Sequence, residues 1–207
     1  MKTAIIAQMM ASLNTCGNSK VKSNFFKRLY EAVQTGDDSF TMPIDELCEN
    51  EKINSCLQEI ASMHFEYNDK GADVKQMMFS QVKMFSDKIT FDISSDARKI
   101  FFNPLNEVPS DWIEELFYLK RKSSCILYCL FVIMLNVSNR ETVVISLRDL
   151  KKCLGYEEST SYKEYRYFNI QVLKVCHKEI TEKTSLRFTY EGIRIKDVTE
   201  MIKFTLE

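Results

Sequence analysis

Glycine and proline are scarce in this chain, five and three among 207 residues. That shortage excludes a fold resting on long irregular loops or on the frequent tight turns of a β-sandwich. Charge of one sign is also missing, since the formal net charge is -1 and the pI is about 6.2. No apolar run is long. The most apolar segment, Cys125 to Val137, spans 13 residues, whereas a bilayer span needs about 20. It therefore reads as a buried core helix, and no membrane partner is expected. The N-terminal MKTAIIAQMMASLNTC has its apolar run broken by Gln8, Ser12 and Asn14. It reads as a helix from Thr3 to Leu13 rather than as a signal peptide.

Catalytic signatures are missing as well. No GxxxxGK[ST] or GxGxxG loop occurs, so no nucleotide cofactor is expected. No Ser-His-Asp set or carboxylate pair stands out, and the chain is not expected to be an enzyme. The seven cysteines form no CxxC pair and read as reduced core thiols of a cytoplasmic protein. The histidines, His64 and His177, are far apart in sequence. Cys176 and His177 adjoin, but neighbouring helical residues point to different faces, so neither a zinc site nor any other metal site is expected.

Hydrophobic residues make up 45% and charged ones 28%, enough apolar content for packed domains rather than disorder. Residues 1–107 hold 12 basic and 15 acidic side chains, a balance of -3; residues 108–207 hold 16 and 14, a balance of +2. Any positive field belongs mainly to the second half.

Periodicity organises the chain into two similar series. Ser19 to Thr35 repeats apolar residues at helical spacing and is stopped by Gly36. A short extended piece at Phe40–Met42 and a helical turn at Ile44–Cys48 follow. A helix is expected over Lys52–Met63. His64–Tyr67, Met77–Met84 and Ile89–Ile93 alternate like strands, and Ser94 caps a short helix. This is the layout of a helix-turn-helix closed by a β-hairpin wing. After the proline-bearing 103–109 connector the order repeats. Ser110 caps a helix over Asp111–Leu119, followed by a buried helix at Ser124–Leu135 and a strand at Val143–Ile145. A helix at Leu147–Leu154, a long helix at Ser161–Lys183 and strands at Leu186–Tyr190 and Met201–Leu206 complete it. The expected fold is α+β, two tandem winged-helix domains covering 1–106 and 107–207.

The second half resembles the iteron-binding replication initiators of bacterial plasmids. Leu119-Lys120-Arg121-Lys122-Ser123-Ser124 with Ile126-Leu127-Tyr128 is similar to one helix of that family. Ile145-Ser146-Leu147-Arg148-Asp149-Leu150 with Leu154-Gly155 is similar to another. Tyr162, Phe168, Val172-Leu173, Glu179-Ile180-Thr181 and Lys183-Thr184 follow the family's order, as do Phe188, Tyr190 and Ile202-Lys203-Phe204. The likeness spans about 95 residues, from Trp112 to Glu207. In the first half, Met78-Phe79-Ser80-Gln81-Val82 and Ile89-Thr90-Phe91 are similar to a family hairpin. The resemblance implies double-stranded DNA carrying direct repeats as the partner, and plasmid replication initiation as the role. It further implies repression of the protein's own gene, a homodimer exchanging with a monomer, and contact with host replication proteins.

A winged helix offers its last helix to the major groove. With that helix starting near Ser161, Lys163, Tyr165, Arg166, Asn169, Gln171 and Lys174 are the candidate DNA contacts. Arg and Lys reach phosphate or guanine, and Asn and Gln pair with adenine. The alternative for this set is a solvated helix face. Phe168, Val172, Leu173 and Val175 read as core. Relatives carry basic residues just after the matched phenylalanine, where this chain has Asn169-Ile170-Gln171. Arg194 and Lys196 on the wing are candidate backbone contacts, flanked by Glu191 and Asp197. Lys120, Arg121 and Lys122 could meet phosphate, or could complement a helix C-terminus. In the first half, Lys52, Asn54, Ser55 and Gln58 are the equivalent set, where Glu51 and Glu59 favour protein contact as much as DNA. A protein-interaction module or a transcriptional regulator on an initiator scaffold is the competing function. Metal-dependent nicking initiators and relaxases carry a His-x-His pair near a tyrosine. That pair is missing here, so Tyr162, Tyr165 and Tyr167 are not read as nucleophiles.

Overall fold

The computed structural model describes residues 19–47, 57–58, 60–69, 72–99 and 108–207. These fall into two compact units, divided between residues 106 and 107. The expected Thr3–Leu13 helix and Cys16, Cys48 and Cys56 lie outside the described residues, as do Lys52, Asn54 and Ser55.

In the first unit, α1 (Ser19–Thr35) is ended by Gly36 at φ 81°, a left-handed stop that favours glycine. β1 (Ser39–Pro43) leads into α2 (Ile44–Leu47). Helical residues at 57–58 and 60–61 precede the hairpin of β2 (His64–Asp69) and β3 (Ala72–Met77). β4 (Phe79–Met84) and β5 (Lys88–Ile93) form a second hairpin, and the sheet order is β1-β5-β4. Ser94 then caps α3 (Ser95–Ala97) through a hydrogen bond from the Ala97 N–H. The expected single strand from Met77 to Met84 is two strands. Met78 is buried, and its backbone is held by Met63 and Ser94 across the break. The core is a phenylalanine cluster. The ring of Phe25 on α1 lies 5.2 Å from Phe91 and 5.5 Å from Phe40 on the sheet, distances at which edge-to-face pairs attract.

In the second unit, α4 (Ser110–Leu116) begins at Ser110 itself, with Pro109 in the capping position; it is shorter than expected. α5 (Lys122–Asn136) is buried continuously from Ser123 to Ile133, which marks an apolar helix enclosed on all sides. Phe131 at its centre sits 4.8 Å from Phe188 and 4.9 Å from Phe204. β6 (Thr142–Ser146), β7 (Phe188–Ile195) and β8 (Val198–Leu206) make an antiparallel sheet of order β6-β8-β7. β7 and β8 run further toward each other than alternation predicts, because the connecting turn is only two residues. In each unit the first strand pairs with the last, so the two sheets share one connectivity. Cys125, Cys129, Cys153 and Cys176 are buried and in no disulfide. Among the described residues no helix is long and apolar enough to cross a membrane.

Candidate nucleic-acid interface

The exposed face of the second unit is set by how its helix-turn-helix is braced. Ser146 ends β6 and caps α6 (Leu147–Cys153), accepting from the Asp149 N–H at 3.0 Å and donating to the Asp149 carboxylate at 2.7 Å. Such a cap contributes about 1 kcal/mol. Leu150, Cys153 and Leu154 anchor the helix, and Gly155 ends it at φ 79°. Burial pushes the Cys153 thiol up to about 11. The following loop is built around Phe168, which is fully buried against Tyr156 and Tyr162. The Lys151 ammonium donates to the Lys163 carbonyl at 3.0 Å and stands 5.5 Å from the centre of the Phe168 ring. Its burial there lowers its pKa.

The helix proper begins later than the sequence suggests. Thr160–Tyr162 is an isolated 3-10 turn, and Glu164 is extended at φ -80° and ψ 138°. α7 (Tyr165–Phe168) then runs through a π turn (Asn169–Leu173) into α8 (Lys174–Lys183). The junction residues all keep right-handed helical dihedrals, so the three segments form one helix, the candidate recognition helix. Lys163 therefore precedes the helix and does not ride on it.

The π turn follows from the apolar spacing. Phe168, Val172, Cys176 and Ile180 are all buried and recur every fourth residue. On a regular helix of about 3.6 residues per turn this set would drift by about 120° from first to last; one additional residue in a π turn takes back about 100°. The opposite face carries Arg166, Tyr167, Ile170, Gln171 and Lys174, all exposed. Among the described residues, the side chains of Arg166, Gln171 and Lys174 have no hydrogen bond or ion pair within the chain. Val175 is half-buried rather than core.

Tyr165 and Asn169 are turned to the wing. The Tyr190 hydroxyl on β7 donates to Asn169 Oδ1 at 2.8 Å. Burial, with Tyr165 nearby, pushes the Tyr190 phenol up to about 12. A two-pronged contact from Asn169 to adenine uses its amide oxygen, which would then serve the Tyr190 hydroxyl and the base through its two lone pairs. Tyr165 lies over Gly192. A Cβ there would stand 3.2 Å from the Tyr165 hydroxyl and 2.9 Å from Thr199 Cγ2, so the close approach needs glycine.

The wing ends in a two-residue turn, Lys196-Asp197, with φ of 49° and 65°. Two positive φ values define the type I′ hairpin, which suits the strand twist. Arg194 and Lys196 are exposed beside the apolar Ile195 and Val198. Glu191, one of the acids flanking them, is engaged by Lys203 at 3.1 Å.

Lys120, Arg121 and Lys122 sit at the start of α5, not at the end of α4, which stops at Leu116. They therefore cannot complement a helix C-terminus. Glu179 on α8 braces this start through the backbone and Ser124. It accepts from the Lys120 N–H at 2.8 Å, Ser124 Oγ at 2.7 Å and Lys183 Nζ at 3.2 Å. Burial alone would raise this carboxyl, but those three donors and the Lys183 charge outweigh it and hold the pKa low. A cleft of about 420 Å³ beside it mixes Lys120, Arg121, Lys178 and Lys183 with Glu179 and Glu182. In the first unit, Gln58 is an exposed helical residue.

Two exposed residues on the recognition helix, Tyr167 and Ile170, were not among the expected contacts. Their spacing of three, out of phase with Phe168 and Val172, carried the signal. Cys176 and His177 have separate partners, the Ser123 hydroxyl at 3.4 Å and the Phe188 carbonyl at 3.0 Å. Among the described residues no group of His, Cys, Asp and Glu is placed to hold a metal ion.

No curated protein matches the chain. Residues 146–206 match the family described as initiator Rep protein, WH2. That span runs from the cap of α6 through the recognition helix to the end of the wing. Over residues 146–206 the chain is thus similar to the winged-helix domain of initiator Rep proteins.

Proposed function

We propose that the chain is a sequence-specific, non-enzymatic DNA-binding protein that initiates plasmid replication at repeated origin sites and acts inside the cell. The outward face of the recognition helix carries this proposal. Arg166, Gln171 and Lys174 offer donors that nothing among the described residues engages, on a domain that matches initiator Rep proteins. The helix enters the major groove. Lys163 at its start and Arg194 and Lys196 on the wing meet the flanking phosphates. The shared β1-β5-β4 and β6-β8-β7 connectivity supports two tandem winged-helix domains. By the same family logic the protein represses its own gene as a dimer, exchanges with an initiating monomer and meets host replication proteins. Fluorescence anisotropy with duplexes of the direct repeats beside its gene tests this. Binding that weakens with salt is expected; no such binding at micromolar protein would sink the proposal.

The exposed apolar pair Tyr167 and Ile170 favours one competing function, a module that binds protein through the same face. Pull-down of a stable protein partner by a chain that retains no DNA would favour that instead.

A further inference from the structure

Arg166, Ile170 and Lys174 follow one another at four-residue spacing on the exposed face, and Tyr167 lies beside Ile170. Ile170 and Tyr167 are each 48% exposed, in a unit whose other apolar helical residues are mostly enclosed. The row thus reads cation, apolar, cation. An apolar pair bracketed by unpaired positive charges is complementary to a surface that is polyanionic at its edges and carries apolar groups between them. The major groove of duplex DNA has that character. Phosphates line both walls, and the only apolar groups on its floor are the C5-methyls of thymine. An acidic peptide could satisfy the cations, but it has no fixed spacing of apolar groups between two charged walls.

We propose that Ile170 and Tyr167 determine specificity by packing on thymine methyl groups, while Arg166 and Lys174 hold the helix in register. This rests on the proposed DNA-binding function and deepens it. It also gives a role to Ile170 within the segment Asn169-Ile170-Gln171, where the Asn169 amide is oriented by the Tyr190 hydroxyl. The π turn sets the outward aim of Ile170, since it lies within Asn169–Leu173.

The full chain is first used to select a binding duplex from a random-sequence pool. That duplex is then resynthesised with deoxyuridine replacing thymine one position at a time, which removes a single methyl and leaves every hydrogen-bonding group. At one or two positions the wild type is expected to lose about fourfold in affinity, the value of one buried methyl group. Ile170→Ala or Tyr167→Ala, both at exposed sites, should bind the thymine and uracil forms equally at that position and keep the salt dependence of the wild type. Wild-type binding that is salt-sensitive yet indifferent to every uracil overturns this inference and leaves the DNA-binding function standing. Failure to select or bind any duplex overturns both.

Discussion

Single side chains divide the recognition helix and the wing into groups that build the fold and groups left for a partner. Arg166 belongs to the second class, exposed and unpaired, so truncation removes a contact without opening the core. Arg166→Ala should weaken DNA binding by about 1–3 kcal/mol, the range for a good base contact, with the melting temperature unchanged. Anisotropy and thermal unfolding together check this, and unchanged affinity would remove Arg166 from the interface. Asp197 belongs to the first class. It holds φ at 65° in the wing turn, a conformation costing most L-residues about 1–2 kcal/mol but glycine almost nothing. Asp197→Gly should raise stability by up to about 1 kcal/mol in urea unfolding. A lower midpoint would mean that the aspartate makes a compensating contact.

Whole elements were legible where period and stop signals agreed, as in α1 with Gly36 and α6 with Gly155. The recognition helix was harder. Its start is displaced to Tyr165 because Lys151 and the Tyr156, Tyr162 and Phe168 rings fix the preceding loop, a tertiary constraint with no local signature. Its π turn was visible in the fourfold apolar spacing, but only to someone who expected a helix to stay in phase with its core. The inward turn of Asn169 and Tyr165 was not visible at all, since it depends on a hydroxyl and a glycine twenty or more residues away on β7. The start of α5 shows a similar dependence on a distant residue, Glu179, with a consequence for pH. Its carboxyl is held low when folded, so its stabilising effect is full above the ordinary carboxylate pKa of about 4.3. That effect is lost as pH falls through the lowered folded value. Glu179→Gln should therefore destabilise the chain at neutral pH and flatten the acid limb of its stability profile, measured by urea unfolding from pH 7 to pH 3. Parallel profiles for the two proteins would contradict this.

Across the whole molecule, charge decides how the interface can work. A chain of net charge -1, with -3 carried before residue 108 and +2 after it, cannot draw on a general positive field for affinity. Binding must come from locally placed cations. Lys163 just before the recognition helix, Arg166 and Lys174 on it, and Arg194 and Lys196 on the wing are the exposed candidates. Each phosphate neutralised contributes about -0.9 to the slope of log K against log salt. With Arg166 on a base, the other four predict a slope of about -3 to -4 per bound chain, and a basic contribution from the first unit would steepen it. Because the interface is patchy, the slope should fall by about one on Lys174→Ala, whereas the apolar Ile170→Ala should leave it unchanged. Anisotropy titrations at several salt concentrations read all three values. A wild-type slope near zero would mean that this face does not meet phosphate, and would turn the exposed Tyr167 and Ile170 from base readers into the centre of a protein contact.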